Sequence, residues 1–273
     1  MYMKGFILIS CLLVFGVSAQ QQNSRSRSEL GALIGGSYYL GDLNSVKQFD
    51  NTHLAFGVLY RYNVHSRLAL RFNLTYGKVS GTDADAERAV IQNRNLDFAS
   101  QLYEGAGGLE FNYFPFRIGH DKYFVTPYLL AQIGFFHMNP YTSYNGGKVF
   151  LQPLGTEGQG SDLSSIKPYR LTQLCVPLAV GFKMSVGGRA TIGAEFGIRK
   201  TFTDYLDDVH ADNYVDPVLL AEQNGPLAAQ LSNRSLNKER YGKRGTASTN
   251  DWYTFFGATV TFRLGKPNIC FNH

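Results

Sequence analysis

Beyond its N-terminus the 273-residue sequence has no uncharged apolar run of about 18 residues, which excludes a polytopic helical membrane protein. Three cysteines exclude a disulfide-dense scaffold. Charge is scarce: 17% of residues are Asp, Glu, Lys or Arg, and the net +5 is scattered rather than gathered in a basic run. Nucleic acid therefore has no electrostatic footprint to bind. Disorder is excluded as well, since 44% of residues are hydrophobic and the net charge is small. What is abundant is glycine (29), phenylalanine (20) and tyrosine (17), a composition that leans toward β structure in one sizeable domain.

Residues 1–19 have the pattern of a secretory signal peptide. Lys4 supplies the positive start, residues 5–17 the apolar stretch, and Val17-Ser18-Ala19 a small-residue cleavage site. Leu8-Ile9-Ser10-Cys11 imitates a lipoprotein box, but the apolar run before Cys11 is too short and continues to Val17. A mature chain starting at Gln20 loses Lys4 and enters an oxidising compartment with Cys175 and Cys270.

The dominant signal is period two. Leu68, Leu70, Phe72, Leu74 and Tyr76 alternate with Ala69, Arg71, Asn73 and Thr75. Leu54, Phe56, Val58, Tyr60 and Tyr62 alternate with Ala55, Gly57, Leu59 and Arg61, and a four-residue gap joins the two runs as a hairpin. The same alternation marks strands around Leu30–Tyr38, Tyr103–Tyr113, Tyr128–Phe135, Val176–Met184, Ile192–Arg199 and Trp252–Leu264. Eight strands result, each of roughly the 9–11 residues that cross a bilayer when tilted.

A soluble sandwich shows similar alternation, so connector lengths decide. Residues 63–66, 115–121 and 186–188 are short links. Residues 81–95, 137–168 and 201–250 are long, and 41–51 is intermediate. Short periplasmic turns and long external loops are the outer-membrane pattern. The small and charged face must then line a narrow interior filled by side chains. Arg71, Glu104, Glu110, Lys183, Glu195, Arg199 and Arg263 are expected to neutralise one another there as ion pairs. Tyr60, Tyr62, Tyr76, Tyr113, Tyr123, Tyr128 and Trp252 are expected at the interfaces. The predicted fold is all-β: an eight-stranded antiparallel up-and-down transmembrane barrel over residues 20–265, with a periplasmic tail at 266–273. Its location is the outer membrane of a Gram-negative cell. Pro177, mid-strand in a closed sheet, predicts a bulge or delayed pairing, and Pro127 reads as the first residue of its strand.

The last loop carries a helix signature, with Asp216 as N-cap, Pro217 at the first turn and Gly225 past the end. Before it, Asp204, Asp207, Asp208 and Asp212 crowd together. Calcium is one reading, but no EF-hand glycine or terminal Glu accompanies them, and hydrogen bonding to backbone amides is favoured. The six histidines form no catalytic grouping, and His210 beside the aspartates is the one candidate. The expectation is a non-enzymatic chain without cofactor or metal. Cys175 falls near the external end of its strand and Cys270 beyond the last one, too far apart to bond each other. An unpaired Cys270 leaves an intermolecular bridge or an idle thiol as alternatives.

The stretch from Glu29 to Leu43, the run Pro153-Leu154-Gly155-Thr156-Glu157-Gly158-Gln159-Gly160, residues 199–209 and Asp251-Trp252-Tyr253 together resemble PorG-like outer-membrane barrels of Bacteroidetes. The most specific part is Thr203-Asp204-Tyr205-Leu206-Asp207-Asp208-Val209, and Thr201 precedes it. Gly257–Phe262 also resembles the last-strand signal read by the barrel-assembly machinery. The PorG-like resemblance implies a component of type IX secretion that anchors a periplasmic ring of PorK-like lipoprotein and PorN-like protein. Cys270, on the periplasmic side, would then be a link to the lipoprotein. A small barrel acting as adhesin or envelope stabiliser is the alternative. Neither reading involves nucleic acid or a small-molecule substrate; outer-membrane lipid is the other expected partner.

Overall fold

A computed structural model describes residues 27–45, 47–237 and 242–265. The predicted signal peptide, Cys270 and the tail lie outside the described residues. Among the described residues there are ten strands: β1 (Ser28–Leu40), β2 (His53–His65), β3 (Leu68–Thr82), β4 (Asp97–Asn112), β5 (Val125–His137), β6 (Tyr141–Tyr144), β7 (Gly147–Phe150), β8 (Thr172–Val186), β9 (Ala190–Thr201) and β10 (Trp252–Arg263). Three short helices lie in the loops: α1 (Ala89–Arg94), α2 (Pro217–Asn224) and α3 (Pro226–Ser232).

Eight of the strands close on themselves. Each barrel strand pairs antiparallel with its chain neighbour, and β1 meets β10 in the register Leu30↔Phe262 through Leu40↔Trp252. Closure leaves the barrel no unpaired edge, the condition for spanning hydrocarbon with strands. The β6–β7 hairpin stands outside the wall and touches it through Ala99↔Tyr141.

The barrel is apolar outside and polar inside. Leu74 is 70% exposed and Ile133 66%, whereas Arg71 on the same wall is fully buried. A water-soluble domain would forfeit about 1.5–3 kcal/mol for each large apolar side chain left in solvent. A closed belt of them makes sense only in lipid. The barrel is therefore a multi-pass outer-membrane protein, with its short links on the periplasmic side.

Three sequence expectations need correction. Strands run to 12–16 residues, longer than the bilayer requires, because pairing continues into the external loops, as at β3–β4 up to Thr82↔Asp97. Pro177 causes no bulge, and β8 is paired from its first residue. The β5–β8 register is the same at Ala131↔Leu178 and Gly134↔Cys175, and only the pairs between them lapse. The missing N–H removes a ladder bond without adding a residue. Pro127 is the third residue of β5, not the first, and the β4–β5 ladder begins one residue later at Asn112↔Tyr128.

Candidate functional site

The lumen is solid. Its periplasmic-side layer centres on Glu110, which accepts from Arg61 Nε at 2.9 Å, from Arg71 Nη1 at 3.2 Å, and from Lys183 Nζ. Arg61 also meets Glu29 at 2.9 Å, and Arg71 meets Glu195 at 2.5 Å. Tyr128 donates its hydroxyl to Glu195 (2.7 Å), and Thr261 donates to Glu29 (2.6 Å). Nearer the external end, Arg199 Nε lies 3.1 Å from Glu104, to which Tyr253 also donates at 2.8 Å. Each layer balances its charges: Glu29, Glu110 and Glu195 against Arg61, Arg71 and Lys183, then Glu104 against Arg199. Balance is what the low dielectric demands, since an uncompensated buried ion costs several kcal/mol.

Period two placed the lumenal faces, but Glu29 and Arg61 were not among the ion-pair candidates. Both sit on inward positions of β1 and β2, so the alternation itself could have found them. Arg263 lies at the periplasmic rim, where its guanidinium donates to the Ile118 carbonyl. Tyr128 is not an interface residue: it is 2% exposed, because the even position that places its neighbours Leu130 and Gln132 inside also turns it inward.

Above the lumen the long loops fold into one lid. The segments carrying Thr156, Glu157 and Gly158 and carrying Thr201 through Asp208 are packed together in it. Thr156 donates to Asp208 at 2.6 Å, and Tyr169 donates to the other Asp208 oxygen at 2.6 Å while stacking on Tyr205. Arg244 forms an ion pair with Glu157, both almost fully buried. Glu157 also accepts the backbone N–H groups of His210 and Ala211, each at 2.9 Å. Gly158 adopts φ +78°, and a side chain there would press on Leu163, so glycine is required at this turn.

The aspartates act largely as backbone acceptors. Asp207 takes the Val209 N–H and Asp251 the Leu206 N–H, each at 2.9 Å. Tyr39 reaches both carboxyls, at 2.6 and 2.9 Å, but has a single proton to donate. Burial, then the neighbouring carboxyls, pushes Asp207 and Asp251 well above the usual carboxylate range. Burial and the nearby Asp207 push Asp204 up to about 9, and His210 Nδ1 lies 2.9 Å from it. Asp208 is pushed up only to about 6, because Arg244 and its two hydroxyl donors offset burial. No grouping of three metal-ligating side chains occurs among the described residues. Asp212 stands apart from the buried set and pairs with Lys243 at the surface.

The family model described as "Domain of unknown function (DUF6089)" matches residues 4–220. The chain belongs to this family. No curated protein matches the sequence. Solved structures similar to it include Neisserial surface protein A, at 11% identity over 88% of this chain and 98% of that one, with a TM-score of 0.42. Ail of Yersinia pestis is 10% identical over 88% and 99%, with a TM-score of 0.43. The outer membrane protein OprG of Pseudomonas aeruginosa is 8% identical over 87% and 97%, with a TM-score of 0.40.

The periplasmic mouth of this DUF6089 barrel is covered too. The β4–β5 link, residues 113–124, reaches across it. Phe116 N–H donates to the Ser66 carbonyl (2.8 Å) and Gly119 N–H to Ser185 Oγ (2.9 Å). Arg263, from the opposite wall, holds the Ile118 carbonyl. Phe116 and Ile118 are buried, and Lys183 Nζ lies 4.5 Å from the Phe116 ring. Lid, filled lumen and covered mouth together leave no route for a polypeptide.

Proposed function

We propose that this barrel is a non-enzymatic outer-membrane anchor of a type IX-like secretion machine, docking a periplasmic ring of PorK-like and PorN-like proteins. The observation that carries the reading is the solid lumen beneath a single buried lid. Such a barrel contributes to export mechanically, by holding other parts, rather than as a conduit. The lid supports it from a second side: the segments that resemble PorG-like barrels, far apart in sequence, meet there through Thr156, Glu157, Tyr205 and Asp208. Deleting the gene should abolish secretion of cargo carrying C-terminal sorting signals and loosen the ring from outer-membrane fractions. Undiminished secretion in the deletion strain would overturn the proposal. It would favour the envelope-stabilising alternative, for which the extensive structured lid is the favouring observation; there, deleting residues 201–250 should remove surface binding.

A further inference from the structure

The periplasmic end carries charge of one sign. Arg27, Arg67, Arg117, Lys122 and Arg189 are all exposed there, and none has an ion-pair partner among the described residues. Asp121 is the one acid in the described links at this end. The backbone fixes where the cations sit. The carbonyls of Arg27, Arg67 and Arg189 accept from Asn63, Asn112 and Arg263 at 2.8–2.9 Å, closing the last rung of three alternate strand pairs, β1–β2, β3–β4 and β9–β10. Arg117 and Lys122 lie on the link across the mouth, with their charged ends about 6 Å from the Tyr123 ring. Strands are about 4.8 Å apart, so cations on neighbouring links stand roughly 10 Å from one another. That is close to the screening length of about 8 Å at physiological salt, so their fields overlap into one positive face.

Direction matters as much as number. Arg27, Arg67 and Arg189 come two residues before Glu29, Ala69 and Thr191, the first buried, inward-facing residues of β1, β3 and β9. They continue the lumenal face, not the lipid face, and so surround the mouth. A phospholipid headgroup lies outside the wall; an object arriving along the barrel axis meets these side chains directly.

The sequence flanking this end adds no countercharge. Residues 20–26 and 264–273, which flank β1 and β10 in the sequence, contain no Asp or Glu. A second copy would present the same cations and be repelled. We infer that the cationic mouth is the docking face for an acidic protein surface on the periplasmic partner. This rests on the anchoring role proposed above and names the face and the charge class that role uses. Complementary charge of this kind sets association rate and specificity, and it weakens steeply with salt.

The test uses the full chain in nanodiscs of zwitterionic phosphatidylcholine, with two probes: the purified PorK-like/PorN-like ring complex and a labelled polyglutamate peptide. The variants are R67E/R117E/R189E and, should that fail to fold, R67Q/R117Q/R189Q, each checked by heat-modifiable gel mobility. Both probes should bind the natural chain, tenfold or more weaker at high salt, and the charge-reversed variant should lose at least tenfold at low salt. Ring binding that is indifferent to the rim charges overturns the docking face while leaving the anchoring role intact. Rim-dependent polyglutamate binding without ring binding supports the charge class of the face and sinks the ring as its partner. If neither probe depends on the rim, the inference fails. That holds equally if the variants lose only retention of anionic phosphatidylglycerol, which would make the rim a lipid contact.

Discussion

The lumen and the lid both bury many ionisable side chains, but they solve the problem in opposite ways. In the lumen every carboxylate faces a cation: Glu29, Glu110, Glu195 and Glu104 against Arg61, Arg71, Lys183 and Arg199. In the lid, Arg94 takes Asp83 and Arg244 takes Glu157, and the group of Asp204, Asp207 and Asp251 has no Lys or Arg of its own, only His210 beside Asp204. Those carboxyls are kept by backbone N–H donors, by Tyr39 and by retained protons. The lumen is thus balanced by charge and the lid by protons, so the two regions should fail under different stresses.

The sharpest break comes from Glu110→Ala. It removes the acceptor shared by three buried cations, and one uncompensated buried charge alone costs about 3–5 kcal/mol. The expected outcome is loss of refolding, read as disappearance of heat-modifiable mobility. Its counterpart in the lid, Arg244→Ala, strands Glu157, at a cost of about 3 kcal/mol if the lid stayed shut. The lid has the option of opening, which the wall lacks. Rapid proteolysis within residues 202–251 should therefore accompany an intact barrel core. If the core unfolds as readily in R244A as in E110A, lid and lumen are one cooperative unit.

Much of this division was legible in the residues. Alternation of the kind Leu70-Arg71-Phe72 assigns each position to lipid or lumen with no knowledge of partners, because the pleat has a period of two. It names seven charged residues as lumenal ion-pair partners and sets Arg61 on the same inner face without pairing it; applied without exception, it adds Glu29 and keeps Tyr128 inside rather than at the interface. The lid was legible only in fragments. Asp216-Pro217 announced α2 because capping is local, but nothing near Arg244 indicates that Glu157, 87 positions earlier, is its partner. Long loops pair by tertiary contact, for which sequence carries no period. The β6–β7 hairpin went unforeseen for the same reason, lying inside a connection read as one long loop.

A pH series separates the two regions more gently. Asp204 titrates near 3.8 when unfolded and is pushed up to about 9 in the lid, so between those values the folded lid holds a proton the unfolded chain has lost. Stability contributed by that proton is present at acid pH and declines as pH rises through the window. Asp207 and Asp251 act in the same direction. Amide exchange at Leu206 and Val209 should report it as a larger opening constant at pH 9 than at pH 5, after correction for intrinsic exchange rates. Lumenal strands, whose acids each face a cation, should show no such trend over that range. Lid protection that rises toward pH 9 would contradict proton retention.

The smallest effect is expected where the lid depends on neither charge balance nor shared protons. Asp216 caps α2 by accepting the N–H groups of Val218 (2.9 Å) and Leu219 (3.3 Å). Asp216→Ala should cost about 1 kcal/mol, the usual value of an N-cap. Its consequences should stay close by, for a specific reason. Asn224, at the other end of α2, donates to the carbonyls of Leu154, Gly155 and Gln159, and Leu220 between them is fully buried. Fraying of the first turn leaves that distal anchor in place. Exchange should thus rise at the first amides of the helix while the Gly155 turn, and the Thr156–Asp208 contact beyond it, keep their protection. Loosening of that contact in D216A would mean that α2 acts as a rigid strut for the whole lid, and the lid would then have no independent parts to compare with the wall.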